Sequence, residues 1–179
     1  MVTGHVFIAT SLDGFIARRD GSLDWLFAAS GQGEDHGYDR FMAGMDGVVM
    51  GRGSFEAVLG FGVPWPYAKP VVVLSRTLAR GDLPEELRGR VAVSAEAPRP
   101  LFERLWREGW RRAYVDGGAV IRSFLADGLI ADMVLTRAPV LIGDGRSLFG
   151  GAGPDRLLRH AETRAFPSGL VQSRYEVAA

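Results

Sequence analysis

Four short stretches of this chain combine glycine, arginine and hydroxyl residues in a way that suits anion binding: Ser11-Leu12-Asp13-Gly14, Gly51-Arg52-Gly53-Ser54, Ser75-Arg76-Thr77 and Asp116-Gly117-Gly118. Gly51 and Gly53 let a ligand approach the backbone closely. A helix start directly after them would present free N–H groups and the positive end of its dipole to a phosphate. Arg52 adds a planar donor fork matched to phosphate oxygens. Gly117-Gly118 repeats the arrangement, so two helix starts could hold the two phosphates of a dinucleotide, with Arg76 placed for a third. Each stretch also has a plain reading. A Gly-Gly pair makes a tight turn, Asp13-Gly14 is an ordinary turn dipeptide, and an arginine at a strand end is a solvated charge. Neither GxGxxG nor GxxxxGK[ST] occurs.

These residues need a scaffold that brings them to one edge. Apolar, β-prone runs at Val6–Thr10, Val48–Gly51, Val71–Leu74, Val91–Val93 and Arg112–Val115 each precede a turn or helical pattern. Helices are expected at about 35–45, from Ser54 through Leu59, from Leu101 to near Gly109, and over 119–127. Residues 18–34 and 81–90 read as loops. Met133–Thr136 and Pro139–Ile142 read as further strands, and Thr163–Phe166 with Leu170–Val177 as a terminal hairpin. Strands alternating with helices predict an α/β domain with a mostly parallel sheet and an antiparallel end. Ligands in such sheets bind beyond the carboxyl ends of the strands, where all four stretches lie.

Composition narrows the chemistry. The 179 residues fit one domain, 1–179. Equal numbers of basic and acidic residues, 21 each, argue against a nucleic-acid or anionic-membrane partner. The absence of cysteine excludes disulfides, thiolate catalysis and cysteine-ligated metal. His5, His36 and His160 are scattered, so no metal site is expected. Without a signal-like N-terminus or a long apolar run, a cytoplasmic location is expected.

The ordered set of motifs resembles the dihydrofolate-reductase-like superfamily, and within it the branch that contains the reductase domain of bacterial riboflavin biosynthesis. The resemblance rests on Ser11-Leu12-Asp13-Gly14-Phe15-Ile16-Ala17, Met50-Gly51-Arg52-Gly53-Ser54-Phe55-Glu56, Val73-Leu74-Ser75-Arg76, Val115-Asp116-Gly117-Gly118-Ala119 and Pro139-Val140-Leu141-Ile142-Gly143-Asp144-Gly145. It implies a three-layer α/β/α fold and an NADPH-dependent reductase of a pterin-like or pyrimidine-like heterocycle. By position, Gly51, Arg52, Gly53 and Ser54 would bind cofactor phosphates, and Leu74, Ser75 and Arg76 would meet the adenosine 2′-phosphate. Val115, Gly117, Gly118, Ala119 and Val120 would lie along the pyrophosphate, with a cis peptide between the two glycines. Ala9, beside Ile8, and Ile16 would flank the nicotinamide. Asp35 corresponds to the acid that promotes substrate protonation, and Thr136 to its hydroxyl partner.

Asp13, Trp25 and Phe55 are the candidate substrate contacts, with Trp65 a further stacking candidate; core packing is the alternative for the aromatics. The chain departs from the family pattern at Gly53, where a bulkier residue is usual. Lys69 lies within a residue of the arginine that clamps a folate tail. Arg18, Arg19 and Arg40 are available for a ribityl phosphate. Two other readings keep the fold: a non-catalytic nucleotide- or ligand-binding protein, and a flavin binder. The resemblance also implies a homodimer paired through the C-terminal strands, with Leu170, Val171, Tyr175 and Val177 as its surface; an intramolecular hairpin is the alternative.

Overall fold

The computed structural model describes residues 1–31, 33–150 and 153–178. In chain order the elements are β1 (Thr3–Thr10), β2 (Phe15–Ala17), α1 (Asp24–Ala29), α2 (Tyr38–Ala43), β3 (Gly47–Gly51) and α3 (Arg52–Gly60). There follow β4 (Val71–Leu74), β5 (Val91–Ser94), α4 (Pro98–Arg107), β6 (Arg112–Asp116), α5 (Gly118–Ala126) and β7 (Ile130–Arg137). The chain ends with β8 (Arg146–Ser147), β9 (Leu158–Ala165) and β10 (Val171–Val177). Eight strands form one sheet in the order β5-β4-β3-β6-β1-β7-β10-β9, and β2 pairs with β8 in a small second sheet. The pairs from β5 across to β7 are parallel, and those of β10 with β7 and β9 are antiparallel. The α/β architecture with an antiparallel end is therefore present.

Alternation along the central strands explains the three layers. Val6, Val49, Val72 and Val115 point to one face and pack against Leu101, Phe102 and Leu105 of α4 and Ile121, Phe124 and Leu125 of α5. Val48, Met50, Val71, Val73 and Tyr114 point to the other, under Phe55 of α3, with Phe41 and Met42 of α2 alongside. Strands covered on both faces read as continuous apolar runs, which is why the parallel core was visible in the sequence. A smaller cluster of Trp25, Ala138, Phe166 and Leu170 fastens α1 to the turn between β9 and β10.

Four local expectations are corrected. The stretch 18–34 contains helix α1, nucleated around the buried Trp25. The second helix begins only at Tyr38, because Gly37 takes a left-handed conformation just before it (φ 80°). The helix expected from Ser54 starts two residues earlier, at Arg52 on Gly51. Residues 139–142 form no strand; Pro139 lacks the donor a ladder needs, and Leu141 is exposed. No helix among the described residues is long and apolar enough to cross a membrane.

The C-terminal hairpin is intramolecular, β9 on β10. Leu170 is buried within the chain, which removes it from the expected surface, while Val177 is partly buried and packs on the main core.

Candidate active site

Because β1, β3, β4 and β6 run parallel as neighbours, their carboxyl ends share one edge of the sheet. Between β3 and β6 the chain changes direction across the sheet: α3 leaves for one face and α5 for the other. A crevice opens at such a switch point, and here it is a cleft of about 790 Å³. Ala9, Ile16, Gly51, Gly53, Ser54, Gly117, Gly118, Ala119 and Val120, all expected cofactor residues, line it.

Both helices start in this cleft on a glycine, Gly51 for α3 and Gly117 for α5, and neither start carries a side-chain cap. Their first N–H groups therefore lack a partner from a capping side chain. Gly117 sits at φ 89°, ψ 132°, a conformation that only glycine adopts without strain. A Cβ there would stand 2.6 Å from Ser54 Oγ. The Gly117–Gly118 peptide is trans, against the cis bond implied by the resemblance.

Two arginines absent from the expected set reinforce this end. Arg122, one turn into α5, donates Nη1 to the carbonyls of Ser147 (2.8 Å) and Leu148 (3.0 Å). Arg146 donates to the carbonyl of Arg19, and its guanidinium lies 3.7 Å from where a Cβ on Gly53 would be. Both arginines line the cleft on carbonyl partners. Among the described residues neither has a carboxylate within ion-pair distance. Their charge faces the cleft uncompensated.

Asp116 ends β6 on the cleft wall. Burial lifts its carboxyl above the ordinary carboxylate range, although hydrogen bonds from Ser54 and Tyr114 pull the other way. Tyr114 donates its hydroxyl to Asp116 Oδ1 (3.2 Å) and to the carbonyl of Phe7 (3.0 Å). Burial, followed by the Asp116 charge, also raises Tyr114, Tyr67 and Tyr38, the last to about 12. Of the other acids in the cleft, Glu56 pairs with Arg52, and exposed Asp20 accepts from the Ser22 backbone. The sequence showed Asp116 as a turn residue; its signal was its place at the end of a buried strand.

The remaining expected residues stand elsewhere. Asp35 is exposed and accepts the Gly37 N–H (2.7 Å), so it forms a local turn and does not meet Thr136. Thr136 is buried and accepts from Gln172 Nε2 (2.9 Å), its cross-strand neighbour on β10. Asp13 is a structural tie outside the cleft. Its carboxylate accepts the Ser11 hydroxyl and the N–H groups of Ile142 and Gly143. Trp25 and Phe55 are core residues at 3% and 2% exposure, Phe55 packed edge-on against Trp65.

Val115 is wholly buried beneath the site, and Leu74 packs on the core beside it. Arg52 lies on the rim, held by Glu56 and by Thr77 Oγ1 (3.0 Å). Ser75 closes a turn onto the N–H groups of Thr77 and Leu78, leaving Arg76 exposed next to Arg52's partner. Lys69 precedes β4 at the opposite end of the sheet, near Asp46. Arg40 lines a separate hollow of about 450 Å³ with His36, Arg112 and Arg174.

Comparison with known proteins agrees with this geometry. The family model described as the RibD C-terminal domain matches residues 3–172. The uncharacterized protein YwjB of Bacillus subtilis (strain 168) is 32% identical over 171 residues, covering 95% of each chain. A putative riboflavin biosynthesis protein from a Shewanella species superposes with a TM-score of 0.93 at 36% identity, covering 99% of this chain and 100% of that one. A pyrimidine reductase-like protein from Corynebacterium diphtheriae shares the fold at 18% identity (TM-score 0.73, 99% and 92% coverage).

Proposed function

This chain belongs to the RibD C-terminal domain family, with the reductase-like role that membership carries, and we propose that it is an NADPH-dependent reductase of a small planar heterocycle. The observation that supports the nucleotide is the pairing of two uncapped, glycine-led helix starts with two uncompensated arginines in one cleft. A diphosphate fits that donor set: backbone N–H groups of α3 and α5 take its oxygens, and Arg122 and Arg146 neutralise its charge. Gly117 keeps the wall thin enough for close approach. Ile8, Ala9 and Ile16, at the end of β1 and on β2, form an apolar seat for a nicotinamide ring. Arg76, exposed beyond β4, is the residue we assign to the 2′-phosphate.

A bound reduced nicotinamide supplies a hydride to an electrophilic ring carbon. The chain must then manage the matching proton. With Asp35 turned to solvent, that role falls to Asp116, whose buried carboxyl keeps its proton to higher pH than an ordinary aspartate. Tyr114 donates to one of its oxygens and holds it in place.

Calorimetric titration with NADPH and NADH tests the reading. NADPH is expected to bind, with affinity reduced about tenfold or more by Arg146→Ala and brought toward the NADH value by Arg76→Ala. A flat titration with both nucleotides would overturn it.

A further inference from the structure

The family pattern leads one to expect an acceptor with a phosphorylated arm. We propose instead that this cleft accepts an uncharged planar ring with no anionic arm. The inference rests on the reductase reading above and specifies what is reduced.

The cleft changes character along α3. Its first turn, with Gly53 and Ser54, faces Arg146 and the helix starts. Phe61, eight residues on, lies about 12 Å further along at the rise of an α-helix. On the way Ala57 and Val58 line the wall, and Leu23 and Leu26 face them from the segment of α1. Leu26 is set there by its neighbour Trp25, which is locked into the cluster with Phe166 and Leu170. At the mouth Phe27 meets Phe61 edge-on at 5.8 Å, and the two remain 62% and 43% exposed. An aromatic pair left in water beside a cleft is suited to a flat apolar ligand.

The cations that an anionic arm would need are already engaged or face elsewhere. Arg18 forms a two-point pair with Asp24 (2.7 and 3.0 Å), and that pairing pulls Asp24 down to about 2. Arg19 is paired with Asp144, and Arg52 with Glu56. Arg40 faces the separate hollow. Arg122 sits at the helix-start end, and Arg146, already assigned to the diphosphate, spans from Gly53 to Gly21 and the Arg19 carbonyl. The acid Asp20 lines the cleft and would repel a second anion. An anionic arm placed among Leu23, Leu26 and Phe61 would lose its hydration and compete with the diphosphate for Arg146. An uncharged ring loses nothing of that kind and buries apolar surface.

The test uses a matched pair of probes, naphthoquinone and its ring sulfonate, measured by equilibrium dialysis against the intact protein. The absence of cysteine means that the quinone forms no thiol adduct. The neutral ring is expected to bind about tenfold or more tighter than the sulfonate. Phe61→Asp should lower its affinity about tenfold, Phe61→Leu should nearly restore it, and neither should change NADPH affinity in calorimetry. Equal or tighter binding of the sulfonate overturns the proposal. So does a Phe61→Asp variant that weakens NADPH itself, because the apolar end would then belong to the cofactor. If NADPH fails to bind the parent chain while the probe preference persists, the reductase reading falls and the preference for an uncharged ring stands as a property of the cleft.

Discussion

Replacing Gly117 with alanine strikes the cleft at its tightest point. At φ 89°, ψ 132° any Cβ is strained, by about 1–3 kcal/mol. The new Cβ would also stand 2.6 Å from Ser54 Oγ. The hydroxyl must swing away, giving up its polar contact with Asp116 at a cost of about 1 kcal/mol. Together the expected destabilisation is about 2–4 kcal/mol. In a chain of this length that lowers the melting temperature by roughly 5–15 °C. Urea and thermal unfolding of G117A measure the total, and a double-mutant cycle with Ser54→Ala separates its parts. With the hydroxyl gone, the next Ser54 atom is its Cβ at 3.8 Å, an ordinary contact. The double variant should then retain only the backbone strain, and the cycle should show a coupling of about 1 kcal/mol. A G117A protein that melts within about 1 °C of the parent would refute the strain argument. Strict additivity in the cycle would refute the steric one.

Two further predictions concern carboxyls. Burial raises Asp116 in the folded chain, so stability falls as pH rises from the unfolded value of 3.8 through the folded one. Asp116→Asn removes that loss: its melting temperature should gain on the parent between acid and neutral pH, and a gap independent of pH would count against the buried charge. The Ser11 hydroxyl, with the Gly143 and Ile142 N–H groups, lowers Asp13 against the opposing effect of desolvation, so its stabilisation is complete above 3.8 and fades as pH falls through the folded value. Asp13→Asn should therefore melt below the parent at neutral pH, with the difference closing only in strong acid and NADPH affinity untouched. A loss of NADPH binding in D13N would return Asp13 to the cleft.

Legibility followed burial. Val48, Val72 and Val115 announce their strands because both faces of the parallel sheet are dry. The glycines at Gly51 and Gly117 announce helix starts because the strand-to-helix turn needs them. By contrast, β9 was half missed: all eight of its residues are exposed, so no apolar rhythm marks Leu158–Glu162. Helix α1 was missed because six residues offer one buried anchor, Trp25, too few to show a period. The cleft's cofactor edge was readable from local residue types. Its charge balance was not, because Arg122 and Arg146 enter through pairings of elements distant in sequence. Asp35 misled for a local reason: Gly37 interrupts the helix it was thought to open.

The central strand sets the order in which this molecule can be assembled. β1 lies between β6 and β7, and its residues pair across more than a hundred positions, Thr3 with Arg112 and His5 with Asp132. Closing those loops comes before any of their contacts can repay it, which slows folding. On the ribosome this strand must wait, unpaired and apolar, until β6 has been made, more than a hundred positions after Thr3. The floor of the cleft is thus made well before the two strands that secure it. A nascent chain halted before Arg112 would carry β3, β4 and α3 with the nucleotide's second cradle still missing.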